Sequence, residues 1–183
     1  MLPVRPRTLR SQVFPFTLKQ VPCPHCQSTG NLNRHSISSG NDPHASSGDP
    51  QPRHRGQRAY CSNRGQRSGC GRTFSILLAF ILPRHTVSAH ELHSLLNSPE
   101  GTLPERASLL KLPFGLETLR SLLRRLRQRL DRLRTQLSSR IKPPASTHSD
   151  PLNQTFDHLR SVFSSSTNLV SDFQLSFQAP FLA

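Results

Sequence analysis

The sequence predicts a small α+β protein. Cysteine-bearing β-hairpins come first, an all-helical unit with one long helix follows, and the termini are disordered or weakly ordered. Three observations carry this expectation. Apolar residues make up only 33% of 183, with no Trp, one Tyr and 16 Pro, too little for one large core. All four Cys lie in the first half of the chain, as two pairs. After Pro83 the apolar pattern changes from strand-like to helical.

Residues 1–20 read as a basic flexible arm holding Arg5, Arg7, Arg10 and the short patch Val13-Phe14-Pro15-Phe16. Residues 21–83 hold the cysteines. Within them, 36–52 is rich in Ser, Gly, Asp and Pro and reads as a loop. The stretch Arg53–Tyr60 leads toward a strand, and Arg72-Thr73-Phe74-Ser75-Ile76 is strand-like. Residues 84–141 form the helical unit. Ser88 caps a short helix carrying Leu92, Leu95 and Leu96, which Pro99 and Gly101 stop. Thr102, Pro104 and Glu105 make a capping-box start for a second helix, ending near Lys111 before a Pro113–Gly115 turn. A third runs from about Leu116 to Ile141, where Pro143-Pro144 ends it. Residues 142–183 hold a linker, a weak helix from Asp150-Pro151 and an apolar tail. In the tail, Phe173, Leu175 and Phe177 alternate with period two, as in a strand or an extended docking peptide.

Lys and Arg total 24 against 10 acidic residues, a formal charge of +14, and only Lys19, Lys111 and Lys142 are Lys. Such an excess points to a polyanionic partner, and Arg suits phosphate and guanine edges. A GC-rich genome would also raise the Arg count. The longest apolar run, Ile76–Leu82, is far too short to span a bilayer. The basic N-terminus lacks the apolar stretch of a signal peptide. A soluble, cytoplasmic, reducing setting follows, in which four Cys are metal ligands more readily than disulfides.

Cys23-x2-Cys26 places two thiolates on one tight turn, a half-site for tetrahedral zinc. Cys61 and Cys70 supply the other half. Four thiolates leave no open position, so the zinc is structural and adds folding energy to a poor core. The spacing departs from a simple ribbon: 34 residues separate Cys26 from Cys61, and eight separate Cys61 from Cys70. Both gaps are filled with polar residues. His25, His35 and His54 are alternative ligands; unligated cysteines and a Cys23–Cys26 disulfide are the remaining readings.

Cys23-Pro-His-Cys26, Arg58-Ala-Tyr60-Cys61 and Cys70-Gly-Arg-Thr-Phe74 resemble the zinc ribbon at the front of many bacterial insertion-sequence transposases and their partner proteins. The resemblance covers roughly residues 21–125. It implies a helix-turn-helix after the ribbon, Phe74 packed on the ribbon, and Arg58 and Arg72 facing DNA. The family's catalytic unit carries three metal-binding carboxylates on an α/β framework. Residues 141–183 offer Asp150, Asp157 and Asp172 without that framework. The expectation is a DNA-binding piece without the catalytic domain, with a separate transposase catalytic subunit as a further partner.

Leu116, Leu119, Leu123, Leu126, Leu130, Leu133 and Leu137 follow a 3-4 spacing over three heptads, with seven Arg between them. A helix over 116–141 is about 39 Å long. The seam packs within the chain, forms a homodimeric coiled coil, or leaves a solvated basic face. In a parallel dimer Arg129 and Arg134 would face each other and repel. The first reading frees Arg120, Arg124, Arg125 and Arg127 for duplex DNA, with Arg120 and Arg124 placed for guanine. No nucleophile, P-loop or His-Glu-x2-His motif is present. His90 and His93 read as surface residues of a short helix.

The function expected is zinc-dependent DNA binding without catalysis, membrane contact or a small-molecule substrate, near the nucleoid. An RNA- or ribosome-associated zinc protein, and a coiled-coil adaptor for an acidic partner, are the alternatives.

Overall fold

Four strands form one sheet: β1 (Thr8–Ser11), β2 (Leu32–Asn41), β3 (Pro52–Cys61) and β4 (Thr73–Leu78), in the order β1-β4-β3-β2. The β2–β3 and β3–β4 pairs are antiparallel; β1 lies parallel to β4. In this computed structural model the described residues are 8–11, 18–41, 52–98 and 102–182. The chain divides into two units, Met1–Ile81 and Leu82–Ala183. The described residues make a small α+β protein, with the sheet in the first unit and six α-helices in the second.

β4 buries alternate residues, Phe74, Ile76 and Leu78, as a half-covered strand must. Its register sets Ala59 opposite Phe74 and Gln57 opposite Ile76 on the inner face. Arg58 lies opposite Ser75, and Tyr60 opposite Thr73, on the outer face. The inner face packs with Leu18, Leu32, Cys23 and Cys61 into one small core. Phe74 is buried within it.

Two expectations for this unit change. Residues 1–20 are not simply an arm: Thr8–Ser11 adds a strand along β4, and Leu18–Gln20 forms a 3-10 turn. A strand edge offers a row of unpaired N–H and C=O groups, which a short segment can satisfy through its backbone alone. The patch Val13–Phe16 lies outside the described residues. The loop expected over 36–52 is corrected at both ends, because residues 36–41 continue β2 and Pro52 opens β3, the two strands pairing there. Ladder bonding to β3 overrides the weak strand propensity of Ser and Gly there. Residues 42–51 lie outside the described residues.

The second unit holds α1 (Ala89–Asn97), α2 (Leu103–Leu109), α3 (Leu116–Arg127), α4 (Leu130–Ser138), α5 (Pro151–Val162) and α6 (Leu169–Phe177). Both α1 and α2 start with complete capping boxes, Ser88 with Glu91 and Thr102 with Glu105. α2 ends in a Schellman turn: Leu112 N–H donates to Ala107 C=O and Lys111 N–H to Ser108 C=O. Lys111 takes the left-handed position, at φ 49°.

The single long helix is corrected to two. Arg129 N–H donates to Leu126 C=O, three residues back, and Leu133 N–H then donates to the Arg129 carbonyl. The four-residue ladder is interrupted at Gln128–Arg129. The interruption lets α3 pack on α2 and α4 on α5 while Leu126 and Leu130 both stay buried. The leucine seam is thus covered within the chain: Leu119, Leu126, Leu130, Leu133 and Leu137 are buried, joined by Leu122. Leu116 is exposed and Leu123 half-buried.

The tail is also corrected. Phe173–Phe177 is helical, capped by the Asn168 side chain on Ser171 N–H. The Phe173 ring meets Phe177 tilted and Phe181 edge-on, at centroid distances of 4.8 and 5.3 Å. Phe181 and Leu182 are buried, so residues up to Leu182 contribute to the core.

Candidate metal centre and cationic surfaces

The four cysteine sulfurs lie within 4.8 Å of one another. Two of the spacings, Cys23–Cys70 and Cys26–Cys61, are 3.7 Å. Sulfurs bound at about 2.3 Å to one tetrahedral ion stand about 3.8 Å apart. The donor set therefore has the dimensions of a four-thiolate site and can hold one metal ion. His25, His35 and His54 are not in the cluster.

Two turns build the site in the same way. Gln27 N–H donates to Cys23 C=O at 2.8 Å, and Gly71 N–H donates to Cys61 C=O at 2.9 Å. In each case the donor is the residue after the second cysteine, in the left-handed region, at φ 63° for Gln27 and 71° for Gly71. The eight residues between Cys61 and Cys70 leave this bond intact. They close at a neck where Ser62 meets Gly69, and a Cβ on Gly69 would come within 2.0 Å of the Ser62 carbonyl oxygen. Glycine is required there.

Backbone N–H groups of His25 and Cys70 point at the sulfurs of Cys23 and Cys61, each at 3.4 Å. The Ser28 hydroxyl lies 2.9 Å from the Cys26 sulfur. That hydrogen bond is the main cause lowering the Cys26 thiol to about 6. Burial pushes Cys23 up to about 12 and raises Cys70 as well. A cation is what offsets the cost of ionising such buried thiols. Sequence reasoning missed Ser28; its signal was a hydroxyl residue two positions after a paired cysteine.

The two arginines of the first unit expected to face a partner lie together. Arg58 and Arg72 are exposed and line one open cleft with His25, Thr73 and Phe74. Arg58 donates to the Thr73 hydroxyl at 3.3 Å.

The α3 arginines separate into two groups. At 100° per residue, Arg120, Arg124 and Arg127 share one flank of the buried leucine stripe. Arg125 falls on the other, in a cleft with Arg84, His85, Thr86 and Ser121. Arg120 pairs with Glu117. Arg124, Arg125 and Arg127 are exposed and have no ion-pair or hydrogen-bond partner among the described residues. Other arginines hold the helices together: Arg134 donates to Gln154, and Arg140 lies over the Phe177 ring. Arg160 bridges Asp157 and Asn97.

Charge is unevenly divided. The first unit has eleven basic residues and only Asp42 and Asp49 as acids, while the second has thirteen basic and eight acidic. Both acids of the first unit lie outside the described residues. No helix among the described residues is long and apolar enough to cross a membrane. Comparison with protein-family models, curated proteins and solved structures returns no match. Fold and site define a small α+β protein with a four-cysteine centre able to hold one metal ion.

Proposed function

We propose that this chain is a zinc-stapled protein that binds duplex DNA and has no catalysis of its own. In this reading the first unit is a zinc ribbon, and α2 and α3 are the helix-turn-helix pair that follows it. The observation that carries the reading is the first unit's uncompensated charge. Over its whole length the unit has eleven basic residues against Asp42 and Asp49, and its described residues carry nine basic side chains and no carboxylate beside the four-cysteine cluster. A thiolate centre loaded with a divalent ion carries two negative charges, too few to neutralise them. Phosphates are the natural counter-charge.

Arg58 and Arg72 on the first unit, and Arg120, Arg124, Arg125 and Arg127 on α3, are the residues assigned to DNA. A four-thiolate set suits zinc, and the closed coordination makes it structural. The relation to insertion-sequence transposases rests on the Cys70–Phe74 string and the knuckle order. A separately encoded catalytic subunit is then a partner, and the nucleoid the place of action. Selection from a randomised duplex pool, with zinc-loaded protein at physiological salt, tests this. An enriched motif that disappears in the R120A/R124A variant supports it. No enrichment, with equal affinity for RNA, overturns it.

A further inference from the structure

We infer that the eight-residue insertion between Cys61 and Cys70 is a finger that grips the phosphate backbone of the bound duplex through Arg64 and Arg67, with Lys19 beside them. This rests on the DNA-binding reading above and adds phosphate-binding residues that neither the spacing nor the resemblance assigned.

The first observation is the way the insertion is joined. The Cys61–Gly71 bond and the Ser62–Gly69 neck make the metal turn complete without it. Residues 63–68 (Asn63, Arg64, Gly65, Gln66, Arg67, Ser68) are all exposed. None is apolar or acidic, so the loop buries nothing and balances no charge. It is nonetheless held in place. The Tyr60 hydroxyl donates to Asn63 Oδ1 at 3.1 Å, and Asn31 Nδ2 donates to the Ser68 hydroxyl at 3.4 Å.

The second observation is where its cations sit. Asn33 donates its amide N–H to the Asn31 carbonyl, which turns its oxygen outward. Lys19 Nζ donates to that oxygen at 2.8 Å, and Arg67 Nη1 lies 3.5 Å from it. Two like charges thus converge on one neutral acceptor. Each repels the other, and one amide oxygen cannot neutralise both. A phosphodiester oxygen at the same place would bridge them with two charge-assisted hydrogen bonds. Arg64, two positions beyond the neck, is exposed on the same loop, its N–H donating to the Ser62 hydroxyl.

The test compares the metal-loaded chain with two variants. One is R64A/R67A. The other deletes residues 63–68, joining Ser62 to Gly69 and restoring a two-residue spacing between the cysteines. Both are expected to keep one metal per chain. Binding to a fixed duplex is measured across salt concentrations. The slope of log K against log salt should shrink by about 1 for each phosphate the protein no longer neutralises, about 2 in either variant. Unchanged slope and affinity in R64A/R67A overturn the inference alone. A wild-type chain with no affinity for duplex DNA removes the function reading, and the inference with it. A slope that shrinks on duplex RNA but not on DNA also overturns it. If the deletion fails to load metal, R64A/R67A, which leaves the turn untouched, decides.

Discussion

The carbonyl of Cys61 accepts a hydrogen bond from the N–H of Gly71 at 2.9 Å, although eight residues intervene between the two cysteines of that pair. The bond matches the one from Gln27 to Cys23 across a two-residue spacing. A long gap therefore does not loosen the half-site, because the extra residues leave and rejoin the chain at one neck. All four sulfurs can then share a metal.

Loss of a ligand should unfold the first unit. Cys23→Ser and Cys61→Ser each remove a buried sulfur from its small core. Structural zinc contributes about 10–16 kcal/mol of apparent binding energy in small domains, more than this core can replace. Elemental analysis should read one zinc in the wild type and none in either variant. Amide dispersion in NMR spectra should collapse for the first unit.

Metal affinity should fall steeply with acid. Cys23 and Cys70 have raised thiol pKa values through burial, so near neutral pH each must give up a proton to bind metal. Apparent log K then rises by about two or more per pH unit through this range. Cys26, lowered to about 6 chiefly by Ser28, adds its own dependence only below that value. Ser28→Ala removes the hydroxyl at 2.9 Å and should weaken zinc by roughly 10-fold or more. Competition against a chromophoric chelator at several pH values measures both effects.

Gln27→Gly should stabilise the loaded protein by about 1 kcal/mol, because a left-handed backbone is costly for a residue with a Cβ and free for glycine. Gln27 holds that conformation at φ 63°. Gly71→Ala, at φ 71° and with a Cβ that would lie 2.9 Å from the Asn63 side chain, should cost at least as much. Thermal melts of the zinc-loaded chain report the two shifts, which should have opposite sign.

In the helical unit, Leu126→Ala should cost about 2–5 kcal/mol, since the side chain is fully buried. Arg124 is exposed and makes no ion pair or hydrogen bond among the described residues. Arg124→Ala should therefore leave stability within about 0.5 kcal/mol. Chemical denaturation separates the two. A seam held between chains instead would make the Leu126→Ala midpoint depend on protein concentration.

The cysteine set was legible because ligand chemistry restricts residue type and local spacing. Helix starts were legible from Ser88, Thr102 and Asp150, whose side chains act on their own neighbours. The break at Gln128–Arg129 was not. Neither Pro nor Gly marks it, and the leucine spacing runs through it unchanged. It follows from which helices α3 and α4 pack against, a tertiary fact. The tail misled because Phe173, Leu175 and Phe177 alternate. The buried helical set is Leu169, Val170, Phe173 and Gln174, and the Asn168 cap is its sign. The pairing of β1 with β4, and the meeting of Lys19 with Arg67 at Asn33, join residues far apart in sequence, which no local pattern reveals.

The most direct test of the central claim is duplex DNA binding by the zinc-loaded chain, titrated across salt and repeated after chelation. The account predicts tight binding with a log–log salt slope near about −4.5 or steeper, for about five or more neutralised phosphates. It also predicts a marked loss of affinity once zinc is removed and the first unit unfolds. Absence of binding, or binding with the same affinity and slope after chelation, would contradict it.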